Sequence, residues 1–148
     1  MNKKIGIVGG AGFLGSRLAD RLKTNSADYI IFDVNDSDIN TIKADVRDLS
    51  SLSRLNECDV LVNLAAVHRD DVRPTSLYDD VNVLGAQNIC SIARRYNIKK
   101  IIFTSSVAVY GFANANTAED GEHNYFNDYG RTKHLAEQVF KEWFDENP

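Results

Sequence analysis

Cysteine and proline are both scarce in this sequence, and so are long apolar runs. Only two cysteines occur among the 148 residues, Cys58 and Cys90. They lie in apolar surroundings without the spacing of metal ligands, so we expect buried, reduced thiols and no metal site. A secreted domain held together by disulfides is disfavoured for the same reason. The apolar run after Lys4 is too short for a signal peptide or a membrane span, which predicts a cytoplasmic protein.

The charge of the sequence excludes further classes of partner. The formal net charge is -4 at pH 7. Nucleic acids and anionic membranes select basic surfaces, so we expect neither of them as the main partner. A chain of this length with 43% hydrophobic residues fits one domain, covering residues 1–148.

Short apolar runs alternate with longer segments of helical periodicity along the chain, which predicts βαβ units and a parallel sheet. The predicted strands cover residues 5–8, 29–32, 41–44, 60–64 and 100–104. The predicted helices cover residues 13–23, 49–55, 76–96 and 128–144, with a polar loop at 111–124. Right-handed crossovers give an α/β fold with a doubly wound parallel sheet in the strand order 3-2-1-4-5. Because the chain ends after the helix that follows the fifth strand, we expect this strand to form an uncovered edge.

A glycine-rich turn lies between the first predicted strand and the first predicted helix. Gly9, Gly12 and Gly15 have the spacing G-x-x-G-x-x-G. Gly9 permits a tight turn, Gly12 lets a pyrophosphate approach the backbone, and Gly15 allows close packing of helix on strand. The amides that open the helix at Phe13 and Leu14 would meet the pyrophosphate, where the helix dipole favours an anion. A turn that binds nothing is the alternative, but the strand before it and the helix after it favour a dinucleotide site.

Asp33 comes at the end of the second predicted strand, about twenty residues after Gly12. A carboxylate at this place accepts hydrogen bonds from both hydroxyls of an adenosine ribose and repels a 2′-phosphate. The sequence therefore favours NAD over NADP as the cofactor. Arg17 is the nearest basic residue that would argue for NADP, and we interpret it as a solvated charge on the helix.

Tyr129 and Lys133 form a Y-x-x-x-K pair at the start of the last predicted helix, where a spacing of four residues puts both side chains on one face. A free phenol is a poor base at neutral pH, but the Lys133 ammonium and the positive nicotinamide ring both favour the phenolate. Tyr129 can then take a proton from a substrate hydroxyl or return one to a ketone. A surface Tyr–Lys pair is the alternative.

Polar and small residues follow the fourth and fifth predicted strands, at the carboxyl edge where doubly wound sheets place their sites. A hydroxyl of Thr104, Ser105 or Ser106 can bind the substrate oxygen, or only close a turn. The residues that end the fourth strand are Asn63, Leu64, Ala65 and Ala66. The alanines are small enough for a cofactor to approach closely. Asn82 lies among apolar residues of a helix, where it can hold a water beside Lys133 or cap a local backbone group.

Together these residues resemble the extended short-chain dehydrogenase/reductase family, whose cofactor domain has the Rossmann fold. The matching segments cover nearly the whole chain: Gly9-x-x-Gly12-x-x-Gly15, Asp33, Asp45-Val46-Arg47-Asp48, residues 63–66, Asn82, residues 103–111 and Tyr129-x-x-x-Lys133. The resemblance implies that Asp45 and Val46 contact the adenine and that Lys133 binds the nicotinamide ribose. It implies a catalytic hydroxyl at Ser106, a general base or acid at Tyr129 and a supporting residue at Asn82. The cofactor contacts that we expect in full are Gly9, Gly12, Phe13, Leu14, Gly15, Asp33, Asp45, Val46, Leu64, Ala65, Ala66, Thr104, Tyr129 and Lys133.

Within that family the sequence looks most like the nucleotide-sugar epimerases of the UDP-galactose 4-epimerase type. The sugar dehydratases of the family carry Asp-Glu after the catalytic hydroxyl, where this sequence has Val107 and Ala108. The resemblance implies transient oxidation of a sugar hydroxyl by NAD, with a nucleotide sugar as the substrate. His68 and Arg69 either contact a sugar hydroxyl or phosphate, or belong to a solvated loop.

Members of the family continue for about as many residues again, and the missing part carries the substrate-binding domain. We therefore expect this chain to bind NAD without turning over a substrate. Two alternatives stay open: a non-catalytic NAD-binding module, and a reductase or dehydrogenase that acts on another substrate with the same residues.

The resemblance also implies a homodimer, built as a four-helix bundle from the helices at 76–96 and 128–144. The last helix has two adjoining apolar rows. The first row is Leu135, Val139 and Trp143, and the second is Ala136, Phe140 and Phe144. One row can cover the sheet, and the other then needs a partner.

Overall fold

The sheet of the computed structural model, which describes residues 3–36 and 41–146, has five parallel strands. The strands are β1 (Ile5–Val8), β2 (Tyr29–Asp33), β3 (Thr41–Lys43), β4 (Val60–Asn63) and β5 (Lys100–Phe103). Their order, β3-β2-β1-β4-β5, confirms the predicted doubly wound topology. The chain reverses direction across the sheet between β1 and β4, so a crevice opens at the carboxyl ends of these two strands.

The helices flank the sheet at three of the four predicted places, with one irregularity. They are α1 (Phe13–Thr24), α2 (Ser76–Tyr78), α3 (Gly85–Arg95) and α4 (Asp128–Glu146). Residues Asp79–Leu84 join α2 to α3 as a π-helical segment, so the single helix predicted at 76–96 is helical throughout but wider in its middle. Such π segments occur frequently at functional sites, and this one contains Asn82.

The helix predicted at 49–55 is wrong. The structure has only a 3-10 helix at Ser53–Glu57. The Ser51 hydroxyl donates to the carbonyl oxygens of Asp45 and Asp48, at 2.9 and 2.8 Å, and the Ser50 amide donates to the Asp48 carboxylate. These bonds between side chains and backbone compete with helical hydrogen bonds, because serine and aspartate offer the backbone other partners close by.

Apolar side chains cover both faces of the sheet, as expected for buried parallel strands. Alternate residues of a strand point to opposite faces: Phe32 belongs to the larger core with α3 and α4, while Ile31 packs in the smaller core against α1. Cys58 and Cys90 are free and buried in the larger core, which confirms the prediction of reduced thiols. Loss of solvent raises the pKa of each thiol to about 12.

The apolar residues of α4 do not divide into the two predicted rows. Ala136 and Trp143 are both buried, although they belong to different rows, and Phe140 packs on Phe103 with ring centroids 4.7 Å apart. Phe144 keeps 62% of its surface exposed. The face of α4 against the sheet therefore takes residues from each row, because a helical turn of 3.6 residues moves a row spaced by four around the helix axis.

Strand β5 lies at one end of the sheet, as predicted, and Ile102 on it is 45% exposed. Among residues 3–36 and 41–146, no helix has both the length and the apolar character needed to cross a membrane.

Candidate active site

The glycine turn packs tightly against the end of β4. Gly9 has a φ of +78°, and a Cβ on it would lie 2.5 Å from the amide nitrogen of Ala65. At Gly15 a Cβ would lie 2.4 Å from the backbone of Gly10, so helix α1 approaches the turn as closely as two backbones allow. Neither position accepts a side chain, in agreement with the reasons given for these glycines from the sequence.

Gly12 differs from these two glycines because its surroundings are open. The nearest atom to a Cβ there is the Gly9 carbonyl oxygen at 3.4 Å, and the residue is exposed. Gly12 is the N-cap of α1 and has no side chain to bind the free amides of the first turn, where Phe13 and Leu14 are 71% and 58% exposed. Free amides at the positive end of a helix dipole fit a pyrophosphate.

Asp33 connects the end of β2 to the glycine turn. Its carboxylate is only 8% exposed and accepts hydrogen bonds from the amide of Ala11 at 3.0 Å and from the amide of Asn35 at 2.9 Å. The Asn35 side-chain amide donates a third, longer bond at 3.4 Å, so about one of the four acceptor positions of a carboxylate remains, and a ribose that binds with both hydroxyls would displace the Asn35 side chain. The acid that we expected to hold the adenosine ribose therefore lies beside the turn that we expected to hold the pyrophosphate.

The end of β4 forms the other wall of this crevice. The Leu64 amide donates to the Val8 carbonyl oxygen at 2.8 Å, and the Ala65 amide donates to the side chain of the buried Asn63 at 3.3 Å. The Thr104 amide, just after β5, donates to the Asn63 carbonyl oxygen at 3.4 Å. These bonds bring the ends of β1, β4 and β5 together, with Ala66 next in the chain.

Asp45 and Val46, expected near the adenine, follow β3. The Arg47 guanidinium binds the Asp45 carboxylate at 2.6 Å and holds its pKa below the usual value. Val46 is buried, and its carbonyl oxygen accepts a bond from the Asn88 amide group at 2.7 Å. Gly85 lets α3 approach this segment, since a Cβ there would lie 2.8 Å from the Val46 side chain. The sequence reasoning missed the Arg47 partner of Asp45.

The catalytic candidates Ser106 and Tyr129 lie on two segments that touch. The Ser106 hydroxyl accepts a bond from the Ala108 amide at 3.2 Å and caps the short 3-10 helix Val107–Val109. A Cβ on Gly130 would lie 2.3 Å from the Ala108 carbonyl oxygen, so the first turn of α4 rests directly on this segment. Tyr129 precedes Gly130, and the contact therefore places it beside the turn that Ser106 caps.

Lys133, one turn further along α4, is almost completely buried, with 2% of its surface exposed. Its ammonium nitrogen lies 4.1 Å from the ring centroid of Phe103, at a distance typical of a cation–π contact. Burial lowers its pKa to about 8, while the charge of Glu137 acts in the opposite direction. The side chain is therefore still charged for the most part at pH 7.

Asn82, the expected supporting residue, is buried and joins two segments of the site. Its side-chain oxygen accepts a bond from the Val67 amide at 2.8 Å, and its nitrogen donates to the Val67 carbonyl oxygen at 3.0 Å and to the Thr132 hydroxyl at 2.9 Å. Thr132 precedes Lys133 on α4. Asn82 thus holds the chain after β4 against α4, and its role beside a water stays a prediction.

Two groups of polar residues in this region were missed at the sequence level. Arg131 binds Asp79 through two bonds of 2.9 and 2.7 Å and Asp128 at 3.0 Å. No local pattern could have revealed the contact between Arg131 and Asp79, which are far apart in the sequence. A second group contains His134 and Glu137, whose H-x-x-E spacing on α4 was a signal that could have been read.

His68 and Arg69 lie in an exposed stretch, and Arg69 forms an ion pair with Asp71 at 2.7 Å. The Tyr78 hydroxyl donates to the Arg69 carbonyl oxygen. The suggested contact of His68 or Arg69 with a sugar or phosphate stays a prediction.

Comparison with known proteins agrees with this geometry. The chain is 44% identical to an N-acetyl-alpha-D-glucosaminyl-diphospho-ditrans,octacis-undecaprenol 4-epimerase of Escherichia coli O157:H7, over 100% of this chain and 46% of that protein. It is 27% identical to UDP-glucose 4-epimerase of Bacillus subtilis, over 92% of this chain and 46% of the relative. It spans about half the length of both relatives.

Solved structures of 4-epimerases also resemble this chain. UDP-glucose 4-epimerase from Brucella ovis, solved in complex with NAD, has a TM-score of 0.89 and 26% identity, covering 98% of this chain and 49% of that one. The model of one protein family, described as the NAD dependent epimerase/dehydratase family, matches residues 5–147. The fold and the cofactor of the family are those expected from the sequence. The chain belongs to the NAD dependent epimerase/dehydratase family.

Proposed function

We propose that the protein of which this chain forms part is an NAD-dependent epimerase that inverts C4 of a sugar carried on a nucleoside diphosphate. The observation that carries the proposal is the contact of the Tyr129–Lys133 turn of α4 with the segment capped by Ser106. This contact lies at the carboxyl edge of the sheet, next to a dinucleotide cradle. The relatives that are 4-epimerases support the same reaction.

Each residue of the site has a defined task in this reaction. The open turn at Gly12 and the free amides of α1 bind the pyrophosphate, and Asp33 binds the adenosine ribose. NAD, when bound, supplies the chemistry of taking a hydride from the sugar and giving it back. Lys133 binds the second ribose through its ammonium group.

Tyr129 removes the proton of the sugar hydroxyl while the hydride leaves the same carbon, and the C4 ketone results. Ser106 donates a hydrogen bond to the oxygen of that ketone and holds it in place. After the sugar presents its other face, Tyr129 would return the proton to the same oxygen as the ketone is reduced. The reaction is balanced, because nothing is consumed and only the configuration at C4 changes.

The proposal predicts that this chain binds NAD and does not turn over a substrate by itself, since it spans about half the length of its relatives. Calorimetric titration with NAD and NADP tests the cofactor assignment. NAD should bind more tightly than NADP. The Asp33→Ala substitution should weaken the binding of NAD much more than the binding of NADP. Equal or tighter binding of NADP to the wild type would refute the role of Asp33.

A second candidate substrate is a sugar carried on a polyprenyl diphosphate. It is favoured by the relative with 44% identity, which is named as a 4-epimerase of N-acetyl-alpha-D-glucosaminyl-diphospho-ditrans,octacis-undecaprenol. Both candidates share a hexose on a diphosphate, so the residues on this chain would act in the same way. Turnover assays of the longer protein with UDP-N-acetylglucosamine and with its polyprenyl-linked counterpart separate the two.

The proposed assembly is a homodimer that uses α3 and α4. Its support is the exposed Phe144 at 62% and, beside α3, the exposed Leu84 at 41%. Phe144→Glu should shift the protein from dimer to monomer in light scattering. Trp143→Glu is not a suitable variant, because Trp143 is only 4% exposed and a charge there would disrupt the core. A wild type that is monomeric at high concentration contradicts the dimer.

A further inference from the structure

Two histidines and a glutamate meet where the loop before α4 folds back onto that helix. His123 comes from the loop, and His134 and Glu137 come from α4. Each offers one ligand atom, and the three atoms all lie within 4.8 Å of one another. None of the three has a task in the proposed epimerase reaction.

The distances within this group are close to those of a metal site. The Glu137 carboxylate lies 3.6 Å from Nδ1 of His134 and 3.9 Å from Nε2 of His123, and the two imidazole centroids are 3.7 Å apart. Ligand atoms bound to one zinc ion at about 2.0 to 2.2 Å are themselves separated by roughly 3.3 Å in tetrahedral geometry. Side-chain shifts of about 1 Å or less would bring the Glu137 carboxylate oxygen to that spacing from the nitrogen of each histidine.

Nδ1 of His134 is shielded from solvent and has no hydrogen-bond partner among the described residues. Burying such an atom without a partner is costly, and a bound ligand would satisfy it. On the other side of the ring, the side-chain nitrogen of Gln138 lies 3.0 Å from Nε2 and donates to it. Turning the Gln138 amide over places its oxygen there instead, so that Nε2 carries the proton and Nδ1 presents a lone pair to a metal. Metal-binding histidines usually have such a second hydrogen bond.

The helical pair is also spaced as metal ligands often are. His134 and Glu137 are three residues apart on α4, so their side chains lie on one face of the helix. Di-iron helical bundles pair a glutamate with a histidine at the same spacing of three residues, in the reverse order along the helix. Two imidazole nitrogens and one carboxylate oxygen suit zinc, with water in the fourth position, whereas magnesium prefers oxygen ligands only.

We propose that His123, His134 and Glu137 bind a zinc ion, which fastens the loop before α4 to that helix. The loop at 111–124 leads directly to the turn that bears Tyr129, and the Tyr110 ring stacks on His123 at its base, with centroids 5.9 Å apart. The ring contacts and ion pairs between the loop and α4 are weak interactions. A bound ion would therefore strengthen the connection between them. The expectation of no metal site rested on cysteine spacing and did not consider the histidines.

The chain offers a matched control for the test, because it has three histidines and the third, His68, is exposed and outside the group. The wild type and His68→Ala should each bind one zinc ion in competition with a chromophoric chelator. His123→Ala and His134→Ala should bind zinc at least roughly tenfold more weakly. Magnesium should compete in none of them. Equal zinc affinity in all four proteins would overturn the proposal.

A measurement on the wild type alone covers the case in which a variant fails to fold. Zinc should shift the imidazole proton resonances of two histidines and leave the third, assigned to His68 through His68→Ala, in place. Zinc should also slow proteolytic cleavage within residues 112–120 of the wild type. Zinc that shifts the resonances of His68, or that moves no imidazole resonance at saturating concentration, contradicts the site.

Discussion

The cofactor end of the site is held mainly by backbone contacts, whereas the catalytic end is held by one backbone contact, that of Gly130 with Ala108, and by side chains that are far apart in the sequence. At the cofactor end, the Gly9 amide donates to the Phe32 carbonyl oxygen at 2.8 Å, and the turn rests on the backbone of Ala65. At the catalytic end, Asn82 binds Thr132 at 2.9 Å. The close backbone contacts at the cofactor end require glycine, so the sequence reveals them. Contacts between side chains that are far apart in the sequence produce no such pattern.

The largest effect should come from the catalytic end. Tyr129→Phe in the longer protein removes one oxygen that moves the proton, so turnover should fall by roughly a hundredfold or more. Binding of NAD, measured by calorimetry, should change little because the cofactor end is untouched. Near-normal turnover of this variant would mean that the Tyr129–Lys133 pair is only a surface feature.

The two glycines of the turn allow a matched test of the cofactor end. Gly9→Ala should lower the free energy of unfolding by at least about 2 kcal/mol, because φ is +78° and the new Cβ would meet Ala65 at 2.5 Å. Gly12→Ala has room for its Cβ and a φ of -75°, so the fold should keep its stability while NAD binding weakens. Denaturant unfolding and NAD titration distinguish the two.

If both variants lose stability equally, the turn is not open at Gly12, and the proposed pyrophosphate site at this turn is refuted. If Gly12→Ala binds NAD as the wild type does, the pyrophosphate does not lie at this turn.

The buried lysine should give an effect on stability that is absent below about pH 8 and grows as the pH rises. The pKa of Lys133 is lowered from 10.5 to about 8 in the folded protein. Between these values the unfolded chain holds more protons on this residue, so stability rises with pH from about 8 to about 10.5 and this contribution is constant below 8. The slope is at most about 1.4 kcal/mol per pH unit. Lys133→Met should abolish that rise in denaturant unfolding, and an unchanged pH profile would contradict the buried position.

The smallest effect should come from the ion pair that braces the catalytic end. Arg131 is about one third exposed where it binds Asp79, so Arg131→Gln should cost only about 0.5 to 1 kcal/mol of unfolding free energy. Arg54→Gln, which breaks a more exposed pair with Glu57, is the control and should cause no measurable change. If Arg131→Gln lowers the free energy of unfolding no more than the control does, the ion pair between Arg131 and Asp79 does not stabilise the fold.

The order of the strands and the position of the glycine turn could be predicted because they depend on local patterns. Apolar runs identified all five strands, and the spacing of Gly9, Gly12 and Gly15 identified the turn. The 3-10 helix at Ser53–Glu57 was missed because serine hydroxyls compete with helical bonds. The burial of Trp143 depends on how α4 rotates over the sheet, which its own periodicity does not determine.

The same limit applies within the candidate site. Tyr129, Lys133 and Ser106 could be named from motifs, but their contact through Gly130 and Ala108 could not. The partners of Asn82 could not be foreseen either, since Thr132 lies on another helix. Residue types carry the chemistry of a site, whereas the packing of distant segments decides which of them meet.

The two buried cysteines make this protein convenient for site-specific labelling. Maleimide and iodoacetamide reagents react with thiolates, and a thiol with a pKa of about 12 is almost wholly protonated at pH 7. A cysteine introduced at an exposed position such as Ala115 would therefore carry a fluorophore or spin label without removal of Cys58 and Cys90. Probes placed in this way would report on the loop before α4 in an otherwise unaltered chain.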